Sequence, residues 1–482
     1  MTDPDHRPSR GPVTLILLFA ACLSAGTPAR SAAPAAAPEG GPQGGSQGAA
    51  PQSDVSTPYT APNTPPIFEN WAVHGQTTFV EQVHPGFHSA YRGPNSLDQG
   101  RRGNETFDIT LYGGVRPWKG AEIWLNPELD QGFGLSNAVG AAGYFSAEAY
   151  KVGSSNGYIR LPRIFLRQTI DLPGEQQGIP PDLNQLGGAQ SVNRVVVTIG
   201  KFAVVDVFDT NKYAHDARND FLNWSVVDAG AFDYAADAWG YTYGASIEWY
   251  QNWWALRAGL FTGSRTPNSK FLEADLGRQF QAVIEAEARY DIHGQPGKIK
   301  LLAFQTRAKL GRFSDLTTYF AANPAATNVD AEAARRLRNK YGASLNLEQQ
   351  ITPELGFFLR ASLADGRTET YDFTDIDRSL SAGLSLSGNR WGRDDDTLGA
   401  AFVLNDISKV HKNYFANGGL GVLVGDGKLL HAGPEQILET YYSFTIKKAV
   451  NLTADYQFVN NPAYNRDRGP AHVFGGRVHA QF

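Results

Sequence analysis

Of 482 residues only one is cysteine, Cys22, and only one is methionine, Met1. Cys22 falls in the first ~30 residues, which read as an export segment, so the mature chain is expected to hold no disulfide and no thiolate metal site. Positive charge is also short: 43 Lys and Arg against 48 Asp and Glu leave a formal net charge of −5. That balance excludes a nucleic-acid binder working by charge. The ten histidines are scattered without metal-ligand spacing. No Gly-x-Ser-x-Gly elbow occurs; Gly383-Leu384-Ser385-Leu386-Ser387 comes nearest, inside an alternating segment, and Asn405 and His411 lack a serine partner. Gly419-Leu420-Gly421 is only a weak phosphate-loop lookalike. Beyond residue 70 there is no run of ~18 apolar residues, so no transmembrane helix is expected. Neither a cofactor, a metal nor a catalytic residue is expected. Two classes remain: a large soluble β-protein, or a barrel hiding polar residues in a wet lumen.

The chain opens on Arg7 and Arg10, an apolar run from Val13 to Ala25, and small residues around Ala29-Arg30-Ser31-Ala32. This charge, apolar, small order describes a secretory signal over residues 1–30, with cleavage between Ala25 and Ala32. A lipoprotein alternative at Phe19-Ala20-Ala21-Cys22 lacks the leucine usual three positions before the cysteine. Residues 31–70 are rich in Ala, Pro, Gly, Gln and Ser. They bury too little apolar surface to offset the entropy of ordering, and read as a disordered leader.

The body, 71–482, carries sixteen alternating segments. They lie near 71–80, 105–116, 121–128, 160–170, 193–204, 241–250, 253–263 and 280–291, then near 298–308, 340–351, 354–364, 377–387, 397–407, 436–446, 450–459 and 472–482. Connections alternate in length. Pro117 to Gly120, Gln251-Asn252, His293 to Gly297, Thr352-Pro353 and Lys447 to Ala449 are tight. Long ones lie at 81–104, 129–159, 205–240, 264–279, 309–339, 408–435 and 460–471. Only 171–192 breaks the parity, being long where a short turn is due. This predicts an all-β, antiparallel transmembrane barrel of about sixteen strands, with short periplasmic turns and long extracellular loops. A soluble sandwich has no reason to keep such parity.

The faces agree. Phe107, Ile109, Leu111 and Val115 alternate with Asp108, Thr110, Tyr112 and Gly114; the last strand sets Phe474, Val478, Ala480 and Phe482 against Arg477, His479 and Gln481. Trp71, Trp118, Trp249, Trp254, Tyr441 and Tyr442 fit interfacial girdles. Sixteen strands enclose a lumen too wide for side chains alone to fill. Glu122, Trp124, Asn126 and Glu128 are expected to face it on one strand, and Arg163, Phe165 and Arg167 on the next. Carboxylate, amide and guanidinium groups opposed across a lumen suit hydroxyl-rich solutes, since each hydroxyl both donates and accepts. Opposed charges also line general or anionic-solute porins, which stand as the alternative.

Longer motifs extend the reading. Glu128-Leu129-Asp130-Gln131-Gly132-Phe133-Gly134-Leu135-Ser136-Asn137, Arg160-Leu161-Pro162-Arg163, Asp206-Val207-Phe208-Asp209 with Tyr213-Ala214-His215-Asp216, Asp220-Phe221-Leu222-Asn223-Trp224, and Phe232-Asp233-Tyr234-Ala235-Ala236-Asp237-Ala238-Trp239-Gly240 follow in order. This series resembles the OprB-type carbohydrate-selective porins of bacterial outer membranes, from about Trp71 onward and most densely over 121–265. The resemblance implies a barrel passing monosaccharides such as glucose by facilitated diffusion through an arginine-and-carboxylate eyelet. It places the constriction on Glu122, Trp124, Asn126, Glu128 and Asp130 facing Arg160, Arg163 and Arg167. An inward-folded 205–240 loop would add Asp206, Asp209, Trp224, Asp233, Tyr234 and Trp239. Trp224 and Trp239 suit wall packing as well as stacking on sugar. Implied partners are sugars as solutes, outer-membrane lipids and the barrel-assembly machinery; monomer and homo-oligomer both stay open.

Overall fold

The computed structural model describes residues 67–150, 152–323, 334–373, 375–447 and 449–482. The expected signal, Cys22 and most of the 31–70 leader lie outside the described residues. Among the described residues eighteen strands occur in chain order: β1 (Trp71–His84), β2 (Arg102–Val115), β3 (Ala121–Gly132), β4 (Ser154–Asp171), β5 (Gln176–Ile179), β6 (Gly188–Ser191), β7 (Arg194–Phe202), β8 (Thr242–Gln251) and β9 (Trp254–Phe261). Next come β10 (Phe280–Ile292), β11 (Gln295–Leu310), β12 (Arg336–Gln350), β13 (Leu355–Ala364), β14 (Arg378–Gly388), β15 (Arg393–Asp406), β16 (Glu435–Ile446), β17 (Val450–Asn460) and β18 (Ala471–Gln481). All but β5 and β6 join one closed antiparallel barrel, in which each of the sixteen expected segments becomes a strand. β1 and β18 close it in register from Gln76↔Gln481 to Val83↔Phe474. Among the described residues no helix is long and apolar enough to cross a membrane.

Alternation explains the wall. Leu111, Ile123, Leu125, Ile247, Ile284, Leu301 and Phe402 point outward and are exposed, whereas Asp108, Thr110, Tyr112, Asn126, Glu128 and Glu285 are buried inside. Leaving one Leu or Ile in water forgoes roughly 1.5–3 kcal/mol. A ring of them belongs against lipid. Tight turns sit at one end of the barrel. At His293-Gly294 both residues have left-handed φ, 55° and 79°, as the two-residue hairpin turn requires. Asp291 Oδ1 accepts the Gly294 N–H at 2.6 Å.

At that end Trp71, Trp118, Trp249, Trp253 and Trp391 are exposed, forming an aromatic belt. Tyr441 does not belong to it. Its ring is 2% exposed and packs edge-on against Phe221 at 4.9 Å, because odd positions of β16 face the lumen.

The long connections gather at the other end, and two fold inward. Residues 203–241 and 138–150 are largely buried, held by wall carboxylates that accept backbone N–H groups. Glu435 takes those of Ala142 and Gly143, and Glu439 those of Leu222 and Asn223. Short helices punctuate the loops: α1 (Trp224–Val227), α2 (Phe313–Ala322) and α3 (Lys409–Ala416). Asn223 caps α1 by accepting the Ser225 N–H at 3.1 Å.

Candidate functional site

β3 and β4 are neighbours in the wall, so their inward side chains pair across the ladder: Glu122↔Arg167, Trp124↔Phe165 and Asn126↔Arg163. The expected confrontation across the lumen is therefore corrected to a side-by-side row on one wall. Beyond Asn126 the register slips, and Glu128 lies opposite Arg160. One residue of β3, Pro127, then stands against Leu161 and Pro162, which is a β-bulge. Strict alternation from Arg163 would point Arg160 at lipid. The bulge turns both Pro162 and Arg163 inward, leaves Leu161 outside, and returns Arg160 to the lumen.

Each arginine of β4 has its own partners. Arg160 donates to both Glu128 and Asp130. Arg163 forms a two-pronged pair with Asp206, Nε to Oδ2 at 2.8 Å and Nη2 to Oδ1 at 2.7 Å. Its Nη1 is buried with no hydrogen-bond partner among the described residues. Arg167 meets Glu122 at 3.3 Å and gives two hydrogen bonds to the Asn184 carbonyl, at 3.2 and 3.0 Å.

The inward loop supplies the opposite side. Asp206 also accepts the Ala203 N–H, which fixes the loop where it leaves β7. Asp209, with φ of 59°, crosses to the far wall and binds Arg360 at 3.2 Å and Asn346 at 2.7 Å. Asp233 takes Lys340 Nζ at 2.8 Å and the N–H groups of Tyr371 and Asp372. Trp224 lies between Tyr144 and Phe373, stacked at 5.2 and 5.0 Å and 4% exposed. Tyr234 sits 4.3 Å from Phe373. Trp239 is partly exposed, its Nε1 donating to the Tyr158 hydroxyl at 3.0 Å.

Of the fourteen expected site residues, Arg160, Arg163, Asp206, Trp224, Tyr234 and Trp239 line one cavity of ≈ 140 Å³. Glu128 and Asp130 pair with Arg160 on its wall. Asn126 is fully buried beside Arg163 on the same wall. Glu122, Trp124 and Arg167 lie toward the short-turn end. Asp209 and Asp233 tie the loop to strands β12 and β13 and to the 365–377 loop. Sequence reasoning missed Tyr144, Glu148 and Tyr150 from the second inward loop, and Arg218 and Tyr241 from the first. Arg218 approaches Glu148 at 3.2 Å, Glu128 at 3.6 Å and Asp108 at 3.7 Å. It follows the Tyr213 to Asp216 motif by two residues, the one signal that pointed to it.

Loop groups titrate away from their ordinary ranges. Burial raises the Glu148 carboxyl, and the nearby Arg218 guanidinium offsets this only in part. Burial likewise raises Asp216, but Arg218, through its guanidinium and its backbone N–H, outweighs it with help from Asn219 and holds that carboxyl below the usual range. Asp220 is pushed up to about 6 by burial and by Asp216. The chamber is thus lined by charges of both signs, Arg160, Arg163 and Arg218 with Glu148, Asp206, Asp216 and Asp228, rather than by a ring of one sign. Such a lining presents dipoles and hydrogen-bonding groups to a solute.

A family model described as carbohydrate-selective porin, OprB family, matches residues 94–482. No curated protein matches the chain. Among solved structures it is similar to OprB of Pseudomonas putida, at 15% identity over 86% of this chain and 94% of that one, with a TM-score of 0.63. It also aligns with the outer-membrane channel DcaP of Acinetobacter baumannii, at 10% identity over 86% and 97% of the two chains and a TM-score of 0.45. The closed sixteen-stranded wall, its lipid-facing apolar surface and the family match over most of the body lead to one assignment: the chain belongs to the OprB family of carbohydrate-selective porins, as a multi-pass β-barrel of the bacterial outer membrane.

Proposed function

We propose that the chamber between β4 and the inward 203–241 loop is the selectivity site, and that it favours monosaccharides such as glucose. The carrying observation is the two-pronged pairing of Arg163 with Asp206, both of which line the same cavity. A guanidinium already neutralised by its carboxylate has little pull on an anion, yet still offers a directed N–H to a hydroxyl. Trp239, partly exposed on the cavity wall, gives a flat apolar face for the carbon side of a pyranose. Passage requires binding firm enough to enter and weak enough to leave, which paired charges offering hydrogen bonds satisfy better than a bare charge. The fold is that of a channel, and the reading is of passage rather than turnover.

Planar-bilayer recording with added glucose tests this. Glucose is expected to reduce ion current through the parent in a saturable way, and Arg163→Gln is expected to weaken that block. An unchanged glucose block in a correctly inserted Arg163→Gln channel would remove Arg163 from the site.

A further inference from the structure

The connection from β4 to β7, 172–193, is long although it lies at the short-turn end, which faces the periplasm in outer-membrane barrels. β5 and β6 form its hairpin stem. Between them, Asp182 and Gln185 exchange backbone N–H···O bonds of 3.0 Å around Asn184, whose φ is 55°.

This tip is fastened in the barrel mouth. Arg167 on β4 donates twice to the Asn184 carbonyl. Arg116, past the end of β2, reaches the carbonyls of Glu69 at 2.5 Å and Gly187 at 3.2 Å. Glu69 and Gly187 bond to one another as well: the Glu69 N–H to the Gly187 carbonyl at 3.1 Å, and the Gly187 N–H to Glu69 Oε2 at 2.8 Å. Leu183 and Leu186, 3% and 1% exposed, share one hydrophobic cluster with Ala72, Tyr112, Trp124 and Phe165.

Those wall residues decide the matter. Inward side chains of an open aqueous lumen are wetted, yet Tyr112 and Trp124 are 0% exposed and Phe165 2%. The Trp124 ring lies flat over Gly114, where an added Cβ would stand 2.5 Å from it. Trp124 is therefore sealed under protein and closed to sugar stacking. We infer that residues 180–187 form a periplasmic strap that narrows the exit on the β1–β4 side and sets a second, steric size limit in series with the arginine chamber.

The strap acts mainly by bulk. Glu122 pairs with both Arg116 and Arg167, each at 3.3 Å, so this one carboxylate offsets part of the charge of the two arginines that hold the strap. The Asn184 side-chain amide at the tip is fully buried, with no hydrogen-bond partner among the described residues, and so presents no group to a passing solute.

Two variants test the strap in the full chain. One replaces 175–190 with a Gly-Ser-Gly link. The other, Leu183→Gly with Leu186→Gly, keeps the polar anchors and removes the apolar ones. Each is confirmed as a barrel by its faster gel migration before heating, then compared with the parent by bilayer conductance and by liposome swelling in glucose, sucrose and raffinose. Conductance is expected to rise in the linked variant, and the sucrose-to-glucose swelling ratio to rise in both. Ion selectivity is expected to hold, because the charge pairs of the chamber are untouched; a chamber failure would show instead in glucose block by Arg163→Gln. If the linked variant does not assemble, the double glycine variant decides. Parent conductance and parent swelling ratios in an assembled variant would overturn the inference.

Discussion

Arg163 and Asp206 are 5% and 2% exposed at their side chains and joined by two hydrogen bonds. Removing one partner of such a buried pair strands the other, at a cost on the order of 3–5 kcal/mol. Arg163→Ala is expected to loosen the start of the inward loop while the barrel ladder persists, and to shift bilayer reversal potentials toward cations. Arg163→Lys restores the charge without the planar fork. It is expected to recover ion selectivity but not the full glucose block, a split that a purely electrostatic role would not give. Asp220 offers a pH test. Its pKa stands at about 6 against 3.8 for the ordinary carboxyl, so the folded loop holds the proton more tightly than the unfolded chain. Loop order is then greatest below about 3.8 and weakens as pH rises through 6. Current fluctuations in the parent are expected to grow across that window, and Asp220→Asn to abolish the growth. Equal pH dependence in both channels would assign it elsewhere.

At the scale of elements, β4 carries the least regular information. Its bulge places Arg160 inside and Leu161 outside, 36% exposed. Exchanging them, Arg160→Leu with Leu161→Arg, presents a guanidinium to lipid, which costs up to ~2–4 kcal/mol near the bilayer midplane. The exchange is expected to lower the fraction of heat-modifiable barrel well below that of Arg160→Leu alone. Matching fractions would show that the bulge does not fix the facing of Arg160. The strands themselves were legible because period-2 alternation on a lipid-facing wall is a strong and local pattern: all sixteen segments became barrel strands. The bulge was signalled only by Pro127 and Pro162, residues that weaken a ladder without saying which way the neighbours turn. The pairing of Asp209 with Arg360, or of Glu439 with the Leu222 and Asn223 N–H groups, joins positions far apart in sequence. No local pattern encodes them. That is why the row along β3 and β4 was readable as lumen-facing, while Arg218, Glu148 and Tyr241 were not found and Trp124, expected to face solute, is fully buried.

For the whole molecule, buried wall charges divide their work. Many anchor loops inside the barrel: Glu435, Glu439, Arg360 and Arg477 all bind backbone groups or side chains of inward segments. These inward segments fill much of the barrel, and the chamber proposed above as the selectivity site lies among them. The measurement that tests this most directly is liposome swelling with the purified protein, comparing glucose with a charged solute of similar size, gluconate, and with a cationic one, glucosamine. Faster entry of glucose than of either ion is the predicted result, and Arg163→Ala is expected to erase that advantage. Equal entry of all three through the parent channel would contradict the account, since a passage that ignores charge and hydroxyl pattern alike is a general pore.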